Sequence, residues 1–219
     1  MLAGIQLHLQ TYHDHTIPQL VDLALHAAGG GIDQIWITDN LENRDVFVVL
    51  AAIASKVPVR LGTGVMVQYF RSPVYASTSA ASVAELMDGR ELSIAIARGN
   101  QRTVNKTISP KPVTMLRETA QIMNTLLGGD SVAIAEFPAV ASYFNLPVAA
   151  SYQLDMASPA NVRLYCGGNA PLSMAVGGEY MDGLLFGARF LSFAKSGKLV
   201  SLLNIFDNAG AIVGKRNMP

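Results

Sequence analysis

Leu92-Ser93-Ile94-Ala95-Ile96-Ala97 runs six residues without a charge, a glycine or a proline. A run that short and apolar on both faces reads as a strand buried in a parallel sheet. After it, Val113–Leu127 reads as an amphipathic helix closed by Gly128-Gly129. Before it, a strand at Val59–Val65 feeds a helix at Pro73–Met87. The alternation continues back to the start. Strand Gln34–Thr38 precedes the apolar helix Asp45–Lys56, and strand Gly4–Gln10 precedes the helix Leu20–Ala28. Thr16 is a fair N-cap for that first helix, with Gln19 completing a capping box and Pro18 tolerated in the first turn. The glycines Gly29-Gly30-Gly31 close it. Toward the other end, Val132–Leu146 reads as an extended excursion. It is followed by strand Val162–Cys166, helix Pro171–Glu179, strand Leu184–Phe186 and a last helix within Phe190–Val213.

Strands alternating with helices at this spacing make βαβ units and a parallel sheet, so the class is α/β. A doubly wound sheet and a barrel both satisfy the pattern. No linker, repeat or low-complexity tract interrupts it, so residues 1–219 are expected to form a single domain.

Composition narrows the function classes. Charged residues make up 15% and hydrophobic residues 50% of the chain, against a usual charged share of about 25%. A surface so poor in charge implies apolar area covered by a partner subunit. Net charge is zero, which lacks the basic footprint of a nucleic-acid binder. No apolar stretch reaches the ~18 residues of a membrane span. Met1-Leu2-Ala3-Gly4 shows no basic leader region, so a cytoplasmic location is expected. Cys166 is the single cysteine, which excludes an intrachain disulfide and a cysteine-based metal cluster.

Several segments carry a family resemblance. Gly31-Ile32-Asp33-Gln34-Ile35-Trp36-Ile37-Thr38-Asp39-Asn40 resembles the second-strand signature G-x-D-x-x-W-x-x-D-H of luciferase-like oxidoreductases. Leu61-Gly62-Thr63-Gly64-Val65 with Arg71-Ser72-Pro73 is similar to their third strand and its loop. Glu85–Arg90 running into Ile96-Ala97-Arg98-Gly99-Asn100 is similar to their fourth-strand region. Arg117-Glu118, Leu164–Pro171 and Met181-Asp182-Gly183 complete the order. Asn43-Arg44-Asp45 further resembles the deazaflavin-dependent methylene-tetrahydromethanopterin reductases within that family. The resemblance implies a TIM-type (β/α) barrel whose C-terminal strand ends hold a flavin or deazaflavin ring. Six strands are countable where full-length relatives carry eight. The expectation is therefore an incomplete barrel of about six of eight βα units, with an extended insertion before strand five.

The same resemblance selects site residues. It gives Asp39, Gly64, Val65, Arg98, Gly99, Asn100, Gly167, Gly168 and Asn169 as cofactor-binding, and places a non-proline cis peptide at Gly64-Val65. Asn40, Asn100 and His8 are the catalytic candidates. Asn40 stands where relatives carry a proton-donating histidine, and Asn100 where many carry an acidic residue. An amide orients a ring but transfers no proton near neutral pH. Apart from the resemblance, Asp39-Asn40 reads equally as a helix cap or a turn. Gly62–Val65 reads equally as a β-bulge, Arg98 as one half of a surface ion pair, and Gly167-Gly168 as a turn before a helix. His13 and His15 fall in the loop after strand one, and no metal site is expected. Tyr69-Phe70 reads as a pocket wall or an intersubunit contact, and Cys166, Met156, Met174 and Met181 as core.

The function expected is a monooxygenase-type oxidoreductase using molecular oxygen and reduced FMN on a small-molecule substrate, as a homodimer. The alternatives are hydride transfer with the deazaflavin coenzyme F420, and a non-catalytic flavin-binding or structural protein.

Overall fold

The computed structural model describes residues 4–7, 14–99, 109–157, 159, 161–187 and 190–214. The sequence-expected strands assemble into one sheet. β1 (Gly4–Leu7), β2 (Gln34–Ile37), β3 (Arg60–Val67) and β4 (Leu92–Ala97) pair in chain order. β7 (Val162–Cys166) and β8 (Gly183–Leu184) continue the sheet, giving the order β1-β2-β3-β4-β7-β8 with every pair parallel. Among the described residues the barrel is not closed, with β1 and β8 as the two edges of this sheet.

The choice between barrel and doubly wound sheet is decided by where the helices lie. Ile35, Ile37, Leu61, Ile94, Ile96, Leu164 and Cys166 point to one face of the sheet. There they form a single core with Leu20 and Ala24 of α1 (Ile17–Gly29), Leu50 and Ile53 of α2 (Val46–Ala54), and Ala76 and Ala80 of α3 (Pro73–Glu85). Leu116 and Met123 of α4 (Pro112–Leu127) join the same core. The alternate residues Gln6, Gln34, Trp36, Gly62, Gly64, Ser93 and Tyr165 point to the opposite, concave face, as the two-residue period of a strand requires. Helices packed on one face of a parallel sheet wind it toward a barrel.

Local chemistry sets the helix ends. Thr16 caps α1 through the expected box. Its Oγ1 accepts the Gln19 N–H at 3.4 Å, and the Thr16 N–H donates to Gln19 Oε1 at 2.7 Å. Asp45 Oδ1 caps α2, accepting the Phe47 and Val48 N–H groups at 2.9 and 3.2 Å.

The expected extended insertion is different in kind. Its strands are only β5 (Val132–Ala133) and β6 (Ser151–Tyr152), which pair antiparallel. Between them lie a 3-10 turn, Ile134–Glu136, and the helix α5 (Pro138–Phe144). Pro138 stands in the first helical turn, where its missing N–H costs nothing, and Asn145 ends the helix at φ 51°. This excursion packs its own cluster, including Ile134, Phe137 and Val140, on the back of α4. The last expected helix is likewise two. α7 (Phe190–Lys195) and α8 (Lys198–Ile212) are separated by Gly197 at φ 73°. α8 lies on α6 (Pro171–Tyr180), where Phe206 and Ala209 approach Gly178.

Candidate functional site

Because all six strands run parallel, their C-terminal ends share one rim. Asp39, Asn40, Arg98, Gly99 and Gly167–Asn169 follow β2, β4 and β7 on that rim, and Gly64-Val65 lies in the bulged upper part of β3. His8, His13, Asn100 and the loop to 108 lie outside the described residues.

The Gly64-Val65 peptide is cis. Pairing of β3 with β4 slips between Gly64 and Met66, so the bulge expected from the glycines is present as well. Close approach calls for glycine at Gly62 and leaves little room at Gly64. A Cβ at Gly62 would lie 2.6 Å from the Trp36 ring, and one at Gly64 2.9 Å from the Gln6 amide nitrogen. That amide donates to the Gly64 carbonyl. Gln6 is therefore a rim-proximal side chain missed by the sequence reading, since its role appears only once β1 and β3 are brought to the same face.

Across the rim, the Gly167 N–H donates to Ile96 O at 2.9 Å. A Cβ on Gly167 would lie 2.4 Å from Val65 Cγ1 and 3.2 Å from the Ala97 Cβ. The fold thus brings the β3 bulge, the end of β4 and the β7 loop into direct contact. Gly168 packs against Ser173, where a Cβ would lie 2.6 Å from Ser173 Cβ. Asn169 Oδ1 is buried and finds no hydrogen-bond partner among the described residues. α6, which starts just beyond it, has no side-chain cap on its first turn.

Asp39 is held by the backbone of β3 and by Arg71. Its Oδ2 accepts the Val67 N–H at 3.0 Å and Arg71 Nη1 at 2.7 Å, and its Oδ1 accepts Arg71 Nη2 at 3.1 Å. Its own N–H donates to Val65 O at 3.2 Å. The helix cap belongs to Asp45 instead of Asp39-Asn40, while Asn40 makes the turn, its Oδ1 accepting the Glu42 N–H at 3.3 Å. Arg71 also reaches Asp45 Oδ2 at 3.0 Å and lies 5.4 Å over the Phe47 ring. Burial pulls the Arg71 guanidinium down, but hydrogen bonding and the charges of Asp39 and Asp45 outweigh it and leave it above its usual value.

Arg98 is exposed, and Gly99 takes φ 91°. The Arg98 charge is felt at Tyr69, whose hydroxyl is nevertheless pushed up, chiefly by burial. Tyr69 is buried among the described residues, 4% exposed. It sits in the insertion's cluster, with its hydroxyl donating to Pro110 O at 2.8 Å and Phe70 packed beside it. Cys166 is core, and burial pushes its thiol up to about 11.

Below the rim, the concave face carries a polar network. Gln34 Nε2 donates to Ser93 Oγ at 3.0 Å, and Ser93 Oγ and the Tyr165 hydroxyl donate to Glu91 Oε1 at 2.5 and 3.3 Å. The Trp36 and Tyr165 rings meet edge to face at 6.0 Å. Sequence alone did not single out this set, because its members are scattered over three strands.

Comparison with known proteins places this arrangement. A 5,10-methylenetetrahydromethanopterin reductase of Methanolobus tindarius is 28% identical over 165 residues, covering 72% of this chain and 46% of the relative. The chain thus spans about half the length of the curated relatives it matches. The coenzyme F420-dependent tetrahydromethanopterin reductase of Methanopyrus kandleri superposes with a TM-score of 0.72 at 20% identity, over 98% of this chain and 62% of that one. The FMN-bound oxygenating constituent of 3,6-diketocamphane monooxygenase from Pseudomonas putida superposes with a TM-score of 0.67 at 15% identity, over 98% and 64%. The sequence profile of luciferase-like monooxygenases matches residues 1–211. The chain therefore belongs to the luciferase-like monooxygenase family of oxidoreductases.

Proposed function

We propose that the rim formed by the β3 bulge, the end of β4 and the β7 loop binds a flavin-type ring, and that the chain serves hydride transfer with coenzyme F420. The observation that carries ring binding is Asn169 Oδ1, a buried acceptor without a partner among the described residues. A buried polar atom left unpaired is costly, and a donor supplied by a ligand at this rim would satisfy it. The imide N–H that flavins and deazaflavins share is a donor of that kind. The residues present fit the group. The Gly64-Val65 bulge, the end of β4 and the Gly167 loop pack together at this rim, and the uncapped start of α6 beside them favours an anionic substituent. When bound, the ring supplies the hydride chemistry itself. The chain orients it through Asn169 and shields it with Val65 and Ala97. Arg98, Gly99, Gly168 and Asn100 complete the proposed binding set, and Asp39 supports it from behind, through the Val65–Val67 backbone.

The relatives named as 5,10-methylenetetrahydromethanopterin reductases, and the superposing reductase that is named as coenzyme F420-dependent, support the hydride-transfer reading. One observation favours the second reading, a reduced-FMN monooxygenase. Asn40 cannot give up a proton, and its carbonyl is already committed to the turn at Glu42. Oxygen chemistry on a reduced flavin depends less on such a donor. Both readings have the chain acting in the cytoplasm on a small molecule as a homodimer with residues 1–219 forming a single domain. No helix among the described residues is long and apolar enough to cross a membrane. Titration of the purified chain with F420, reduced FMN and oxidised FMN tests the proposal. Tightest binding of F420 supports hydride transfer, and tightest binding of reduced FMN moves the assignment to the monooxygenase.

A further inference from the structure

Asp39 and Arg71 do more than close a loop. Asp39 grips both ends of the tripeptide Val65-Met66-Val67, since its backbone N–H reaches the Val65 carbonyl and its carboxylate reaches the Val67 N–H. This is the stretch where β3 slips register against β4, so the ladder alone does not fix it. The Asp39 side chain is only 1% exposed, whereas Arg71 is 17% exposed and Asp45 47%. The one buried carboxylate of the network is thus the one Arg71 grips with two nitrogens, a geometry that lysine cannot copy.

We propose that Arg71 is a positioning residue for the ring site. Through Asp39 it fixes the Val65–Val67 backbone, and it cancels a buried negative charge that would oppose a reduced, anionic ring. The ring part of this inference rests on the function proposed above. Asp39 on this account acts through the backbone and touches no ring atom. Its neighbours Asn40 and Asp45 turn to Glu42 and to the first turn of α2, so no other described side chain takes over the Val67 N–H.

The test uses the full chain and its sole tryptophan, Trp36, which lies against Gly62 and Gly64. Three variants are compared, R71M, R71K and R71M with D39N. Each is measured for Trp36 emission without ligand and for the dissociation constants of reduced and oxidised FMN, and F420 is titrated into the wild-type chain as well. R71M is expected to shift the emission and to weaken reduced FMN about tenfold more than oxidised FMN, the scale of one uncompensated charge nearby. R71K, which folds with the charge retained, should restore the reduced-to-oxidised ratio but not the emission. Adding D39N to R71M should restore the ratio by removing the charge. If R71M loses thermal stability while emission and ratio stay at wild-type values, Arg71 is merely structural and the inference is overturned. A folded wild-type chain that binds no ring removes the proposed function and this inference together. Binding with an unchanged ratio removes this inference alone.

Discussion

Asn169 is where one side chain decides most. On the proposed binding, removing its amide would delete a single hydrogen bond to the ring, worth ~1 kcal/mol in a buried setting. Asn169→Ala should therefore weaken ring binding roughly five- to tenfold while leaving the thermal midpoint of the ligand-free chain unchanged, as read by titration and melting. A large drop in that midpoint would instead make Asn169 a structural residue. Cys166 offers a pH prediction. Its thiol ionises near 9.0 when unfolded and at about 11 when folded. The folded state holds the proton longer, so the stability associated with this group is intact below pH 9 and declines as pH rises toward 11. Native protein at pH 8 should resist alkylation at Cys166, with reaction appearing on unfolding. Residue-scale legibility was uneven. The cis peptide at Gly64-Val65 could be located from the family resemblance, and the bulge around it from the glycines. The Asp39–Arg71 pair could not, because its members lie 32 positions apart and only strand register brings them together.

At the scale of elements, glycine spacing fixes how closely helices pack. A Cβ at Gly178 would lie 2.0 Å from the Phe206 carbonyl oxygen, against backbone that cannot swing aside. Gly178→Ala should push α8 off α6 and cost ~1–3 kcal/mol, lowering the melting midpoint by several degrees. Glu118 shows the converse, a side chain holding an element down. It is buried on α4, and its carboxylate accepts the Ala139 and Val140 N–H groups at 3.3 and 2.8 Å. α5 has no cap from its own flank, so Glu118 caps it from across the interface. Glu118→Ala should cost ~1–2 kcal/mol and speed amide exchange over residues 138–144, whereas unchanged exchange there would refute the capping role. The insertion was misread as extended because its apolar residues show no clean helical period. Pro138 and Asn145, a start and a stop seven residues apart, held the better signal. β4 and the α1 capping box were legible because each depends on adjacent residues alone.

For the whole molecule, the α/β alternation was legible, and the helix-covered face of the sheet supplied what alternation could not, the winding toward a barrel. The concave face stays polar and glycine-rich beneath the rim, from Gln34 and Ser93 up to Gly64. The low charged fraction, 15%, supports a self-associated chain. Light scattering should then report about twice 23.3 kDa, and a mass of one chain at micromolar concentration would contradict the homodimer.

The most direct test of ring binding at this rim is a titration of Trp36 emission with F420 and with reduced FMN. The account predicts saturable quenching by at least one of them, in the ~micromolar range, and weaker binding of the same ring by Asn169→Ala. A folded chain whose Trp36 emission shows no saturable response to either ring would contradict it.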